Sequence, residues 1–270
     1  ITLLESAMID KQTVVTSTIN GFDLRGNALT QTIDRLCWKW DAVTETGAWV
    51  FGDSRSIAEN KDDLYDHLTH SEVKNYKAAS QTAFSDIQVI NSTNFDRFGN
   101  VLDQTVDTYD NEAKTGLIDS KVIYNEYGAA ATAGVTLTAA QQAIADLAAR
   151  RGNATLSQVT RYSSLTHTAV NKIDFTETTT ALSDFDALGN ALHQTQERSV
   201  KDSSGAMILV SRNKIDNATF DNVGNAAEQS IASYSITHAP DAEGADVETD
   251  TLVDYKVYSN RKFDSNRNCE

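Results

Sequence analysis

Proline is nearly missing from this sequence: Pro240 is the only one in 270 residues. Strands are therefore not broken by proline, and rigid polyproline spacers are excluded. Cysteine is almost as scarce. Cys37 and Cys269 stand near opposite ends of the chain, which rules out a disulfide framework and a zinc knuckle. Two thiols, or a head-to-tail link between neighbouring molecules, remain. No apolar run approaches the ~20 residues that span a bilayer, and no signal peptide is visible. Positive charge is in deficit, with a formal net charge of -15. That argues against nucleic acid as a partner and favours solubility over edge-to-edge association. Also missing are H-E-x-x-H, G-x-S-x-G and a Gly-rich phosphate loop. No enzyme class declares itself, and a non-enzymatic protein is expected.

What the chain does have is a repeat. Phe22-Asp23-Leu24-Arg25-Gly26-Asn27 returns as Phe95-Asp96-Arg97-Phe98-Gly99-Asn100, as Phe185-Asp186-Ala187-Leu188-Gly189-Asn190 and as Phe220-Asp221-Asn222-Val223-Gly224-Asn225. In each copy a glutamine follows the Asp by eight residues: Gln31, Gln104, Gln194 and Gln229. Such recurrence marks a repeat protein. The residue types suit a tight turn. Asp accepts hydrogen bonds from the backbone N–H groups just ahead of it, and Gly takes the positive φ that ends a type I turn in a hairpin. Asn tolerates the left-handed or bridging conformations beside it. Phe22, Phe95, Phe185 and Phe220 would anchor the incoming strands. After the Asn the side chains alternate with period two, the signature of a strand. Each unit reads as strand, D-x-x-G turn, strand.

The fold expected is mainly β: an array of antiparallel β-hairpin repeats over residues 1–270, as an extended stacked sheet, a solenoid or a shell. Turns fall near 22–27, 95–100, 152–153, 185–190, 220–225 and 263–268. The copy at Gly152-Asn153 is degenerate, with a helix in place of the Phe-Asp turn. Two short helical insertions are expected. Thr69 and Glu72 have capping-box spacing, and Val73, Tyr76 and Ala79 follow at helical spacing, giving a helix at about 71–80. Thr138 with Gln141 repeats the signal before an apolar stripe of Ala140, Ile144, Leu147 and Ala148, and Gly152 closes that helix, at about 138–150. The chain begins with Ile1 and stops two residues past Asn268, inside its last copy. We expect a processed chain or a segment, whose next strand comes from more of the same chain or from a neighbour.

Candidate functional residues are few. Gln31, Gln104, Gln194 and Gln229 place an amide on the more apolar face of each unit, as a ladder that sets register between units. Trp38, Trp40 and Trp49 form a local cluster, for packing or for stacking against a carbohydrate. His67 and His70 are three apart, with no third metal ligand positioned by spacing. Asp241, Glu243, Asp246, Glu248 and Asp250 form the densest carboxylate run and a weak calcium candidate, with a solvated loop as the plainer reading. Asn91, Asn153 and Asn217 each begin an Asn-x-Thr glycosylation pattern.

The recurrent Phe-Asp-x-x-Gly-Asn followed by a Thr/Gln-rich strand resembles the YD repeat of RHS-type proteins. In that family Tyr-Asp-x-x-Gly-Arg or Tyr-Asp-x-x-Gly-Asn hairpins recur, and similar arrays occur in very large bacterial surface proteins. Here Phe replaces Tyr throughout. The resemblance implies stacked antiparallel hairpins at the cell surface or outside the cell. Three functions are compatible with it: a structural segment or filament subunit that pairs through its strand edges, a glycan-binding adhesin, and a shell fragment that encloses a toxin.

Overall fold

The computed structural model describes residues 10–16, 20–41, 43–78, 81–128, 137–221, 223–240, 246–259 and 261. The strands are β1 (Asp10–Val15), β2 (Gln31–Asp41), β3 (Thr46–Asp62), β4 (Leu68–Tyr76), β5 (Phe84–Phe95), β6 (Val101–Tyr109) and β7 (Leu117–Tyr127). Helix α1 (Ala139–Arg150) follows, then β8 (Ala154–Tyr162), β9 (Lys172–Thr179), β10 (His193–Lys201), β11 (Met207–Phe220), β12 (Ala226–Pro240) and β13 (Asp246–Tyr258). Among the described residues they form a 13-stranded open sheet whose spatial order is the sequence order, each strand antiparallel to the next. Such order requires only hairpins, which is what a D-x-x-G turn encodes. The chain packs as two compact units: the described residues of 1–93 with 104–120, and those of 94–103 with 121–269.

Burial is unusual for a chain of this length. Among the described residues, buried polar side chains such as Ser54, Ser71, Ser120, Asp174 and Asn190 outnumber buried apolar ones. In the second unit the apolar core is a small cluster of Ala148, Phe185 and Ala191, with Ile144 and Leu182 packed against it. Most strand residues are half-buried on both faces. The sheet is therefore held by its backbone ladder and by side-chain pairs across strands, each worth roughly 0.2–1 kcal/mol.

One helix forms where the sequence predicts it. Thr138 and Gln141 make a capping box around α1, and Gly152 takes φ +74° beyond its end. The expected helix at about 71–80 does not form: residues 71–76 belong to β4, and Ala79 and Ser80 lie outside the described residues. Thr69 donates its hydroxyl to the Lys61 carbonyl of β3 instead of capping a helix, and Glu72 pairs with Lys114. The overlooked signal is the alternation of His70, Glu72, Lys74 and Tyr76, a period of two that two flanking strands exploit. The copy expected at 263–268 lies outside the described residues, as does Cys269. Cys37 is half-buried on β2.

Candidate functional site

The repeat turns share one geometry. In each, Asp Oδ1 accepts the N–H groups two and four residues on. Asp186 does so from Leu188 at 2.8 Å and from Asn190 at 2.9 Å, while its Oδ2 accepts Asn190 Nδ2 at 2.8 Å. Asp23, Asp96 and Asp221 repeat the pattern with Asn27, Asn100 and Asn225. Gly26, Gly99, Gly189 and Gly224 take φ between +79° and +93°, where a Cβ is strained. The final Asn is thus a clasp: its side chain returns to the carboxylate that holds its own N–H. These contacts set the charge state. Partial desolvation pushes the Asp186 and Asp221 carboxyls up, but hydrogen bonds from the motif Asn outweigh it and hold both below the usual carboxylate range. For Asp23 the Asn27 N–H is the largest influence, again downward.

The structure adds turns that the motif did not reveal. Asp63 accepts the N–H groups of Tyr65 and His67, Asp66 takes φ +65° in place of Gly, and His67 Nδ1 stands 2.9 Å from Asp63 Oδ2 where the Asn clasp would be. This is a disguised copy between β3 and β4, and it fills the long gap between the first two Phe-Asp copies. Asp202 and Gly205 make the same turn between β10 and β11, without Phe or Asn.

Within each unit, neighbouring turns bond to one another. Asn27 Nδ2 donates to Asp66 Oδ1 at 2.8 Å, and Arg25 pairs with the same carboxylate. In the second unit Asn100 Nδ2 donates to the Ala149 carbonyl at the end of α1, and Asn153 Nδ2 to the Gly189 carbonyl at 2.8 Å. Arg151 donates to Asn190 Oδ1 at 3.0 Å. The helix therefore takes the place of a turn and docks between the turns on either side of it. The Phe anchors are uneven. Phe185 is buried against α1, whereas Phe22 is exposed.

Each glutamine donates not to another repeat's glutamine but across its own hairpin. Gln31 reaches Thr16, Gln104 reaches Ser92, Gln194 reaches Thr180 and Gln229 reaches Asn217, at 2.8–3.2 Å. A second amide set, absent from the sequence reading, closes the next strand over the turn. Asn60, Asn125 and Asn217 donate their Nδ2 to the carbonyls of Ala28, Val101 and Ala191, each the residue after a motif Asn. Of the three glycosylation patterns, all have their Asn engaged: Asn91 with His70, Asn153 with Gly189 and Asn217 with Ala191 and Gln229.

The tryptophans sit at the far end of the β2–β3 hairpin. Trp38 and Trp49 face each other across the strands, ring centroids 5.1 Å apart and edge to face. Gly47 leaves room for the Trp38 ring, since a Cβ there would lie 2.0 Å from it. Trp40 is 61% exposed beside them.

The carboxylate run is not the loop expected throughout. Asp246, Glu248 and Asp250 lie on β13, while Asp241 and Glu243 lie outside the described residues. Arg212 of β11 spans Glu197 of β10 and reaches past β12 to Asp250 and Glu248. Asp246 meets His238, whose other ring nitrogen contacts the Leu209 carbonyl at 2.6 Å. That carbonyl and then Asp246 hold the imidazole above its usual pKa. Glu248 and Asp250 already neutralise Arg212, and Asp246 is engaged by His238. At the other end of these strands, an open cleft of about 520 Å³ is lined by Leu192, His193, Asp216, Asn217, Gln229 and Tyr258 among others.

A further cluster brings together residues that sequence spacing kept apart. A bulge after Ile57 places Glu59 directly beside Glu72, and Lys61 beside His70. On its other side β4 pairs His70 with Asn91 of β5. One ligand atom from each of Glu59, His70 and Glu72 lies within 4.8 Å of the others. His67, three residues from His70, is drawn instead into its own turn.

Neither a family model nor a curated protein matches this chain. The functional reading therefore rests on the geometry of the sheet and of these clusters.

Proposed function

We propose that this chain is a non-enzymatic structural repeat protein, a segment of a giant cell-surface protein or a subunit of an extracellular filament, that extends by pairing through its sheet edges. The observation that carries this reading is β13. Every residue from Asp246 to Tyr258 is exposed, including Val247, Leu252, Val253, Tyr255, Val257 and Tyr258, whereas the inner strands β11 and β12 are largely half-buried. Among the described residues β13 is an edge strand. A long exposed edge strand is a template for another strand. At the opposite edge, Val14 and Val15 of β1 are also exposed. The YD-like turn motif supports the same reading, because it suits an array that grows by adding hairpins. No helix among the described residues is long and apolar enough to cross a membrane.

Electron microscopy and sedimentation of the purified chain, over a range of concentrations, test the proposal. Filaments or large assemblies with a regular axial repeat are expected. Tyr255→Lys with Val257→Lys, which puts charge on one face of the edge, should disperse them. Single particles at every concentration, unchanged by the two lysines, would overturn pairing through β13. The exposed Trp40 beside the Trp38–Trp49 pair supports a second reading, a glycan-binding module that stacks sugar rings on the hairpin end.

A further inference from the structure

We propose that Glu59, His70 and Glu72 form a binding site for one divalent transition-metal ion of the zinc class, which Lys114 and Lys61 guard. The argument starts from register. Two carboxylates placed directly opposite on neighbouring strands repel. Without the bulge after Ile57, Ala58 and not Glu59 would oppose Glu72, so the irregularity itself creates the like-charged pair. Bulges re-aim side chains in this way and recur at functional positions. A second irregularity follows Lys61, so only three residue pairs lie between the two: Glu59 with Glu72, Asn60 with Ser71 and Lys61 with His70.

The imidazole completes the set. His70 Nδ1 lies 2.7 Å from Asn91 Oδ1, an acceptor, so that nitrogen carries the proton. In the neutral ring the lone pair is then on Nε2, which stands 3.9 Å from Glu72 Oε1. A histidine whose outer N–H is held by an amide oxygen, with its other nitrogen near a carboxylate, is the arrangement that orients metal-ligating imidazoles. One nitrogen and two oxygen donors suit zinc and its neighbours, with a fourth position for water. The nitrogen donor disfavours calcium and magnesium, which take oxygen ligands. Ligand atoms within 4.8 Å of one another need to draw in by roughly an ångström to reach the ~2.0–2.2 Å bonds of such an ion.

Two ammonium groups now balance the pair. Lys61 Nζ stands 2.6 Å from Glu59 Oε1, and Lys114 pairs with Glu72. Both reach in from the rim, with side chains 62% and 35% exposed. The exposed Lys61–Glu59 pair is worth about 0–1 kcal/mol, so Lys61 can swing into water when a cation arrives, whereas Lys114, held against a Glu72 that is only 16% exposed, is the stronger competitor. Lys114 is carried by the β6–β7 loop at φ +57°, where Asn111 accepts its N–H and that of Thr115.

The experiment is calorimetric titration of the chelator-stripped full chain with zinc alone, paired with NMR of the His70 ring nitrogens. We expect one equivalent bound, a shift at His70 Nε2 larger than at Nδ1, and at least a tenfold weakening in both His70→Ala and Glu72→Gln. Lys114→Met should bind at least threefold more tightly, because it removes the competing cation. That gain cannot come from misfolding, so it keeps the test decisive if the other variants are unstable. No binding to either wild type or Lys114→Met would overturn the proposal. So would binding that His70→Ala leaves unchanged, which would mark the ion as held by the acidic surface at large.

Discussion

Gly189 and Gly205 occupy the same turn position in the same unit, at φ +79° and +87°, yet replacing each with Ala should have unequal consequences. At Gly205 a Cβ meets nothing within 4 Å, so Gly205→Ala carries only the left-handed backbone penalty, about 1–2 kcal/mol. At Gly189 the new Cβ would lie 2.5 Å from the Ala148 nitrogen and 2.6 Å from the Leu147 carbonyl carbon. Both are helix backbone and neither can rotate aside. To relieve the overlap, α1 must retreat by about an ångström, since ordinary contacts between such atoms begin near 3.5 Å. That retreat opens the Ala148–Phe185–Ala191 cluster and stretches the bonds from Asn153 to the Gly189 carbonyl and from Arg151 to Asn190. Overpacking costs typically 1–3 kcal/mol, and each weakened hydrogen bond about 0.5–1.5 kcal/mol. Gly189→Ala should therefore be roughly 2–4 kcal/mol less stable than Gly205→Ala. Urea unfolding followed by far-UV circular dichroism reads the difference as a midpoint lower by roughly 1–2 M at ordinary slopes. Hydrogen exchange should show the loss concentrated in residues 139–150. Midpoints for the two variants that agree within about 0.3 M would refute the docking of α1 on the turn as a source of stability.

The turn carboxylates predict an acid limit. Because Asp23, Asp186 and Asp221 are held below their ordinary value, the stability they add is complete above about pH 3.9, the unfolded-state pKa. It is lost as pH falls through their folded-state values. Asp186→Asn, which sets an NH₂ against the Asn190 amide, should cost about 1 kcal/mol at pH 7 and flatten the acid limb of a stability–pH curve. An unchanged limb would show that the clasp does not depend on charge. For the second functional reading, Trp40→Ala should abolish any hit from a glycan screen without moving the thermal midpoint by more than a degree or two. A hit that survives the substitution would place the glycan elsewhere.

The strand–turn–strand grammar was open to sequence reading because its causes are local. An aspartate that accepts N–H groups two and four residues ahead, and a glycine at positive φ, act within six residues. So does the capping box of α1. Sequence determined that this chain is a β-hairpin repeat whose turn chemistry recurs along it, and of the two helices expected it placed the one at about 138–150 correctly. Only the tertiary structure decided the rest, because the deciding partners are remote. The segment from Thr69 carries capping-box spacing, yet two neighbouring strands offer it backbone partners on both sides and it becomes β4. The turn at Asp63 escaped notice because Asp66 and His67 replace Gly and Asn, a change that keeps the hydrogen bonds while erasing the letters. The glutamines proved to bond within their hairpins, since a side chain's partner depends on register rather than on spacing. The meeting of Glu59, His70 and Glu72 depends on one inserted residue after Ile57, and a bulge leaves no periodic trace. Local dihedral chemistry is written in short words, while pairing, burial and side-chain convergence arise when distant strands are brought to within hydrogen-bond distance.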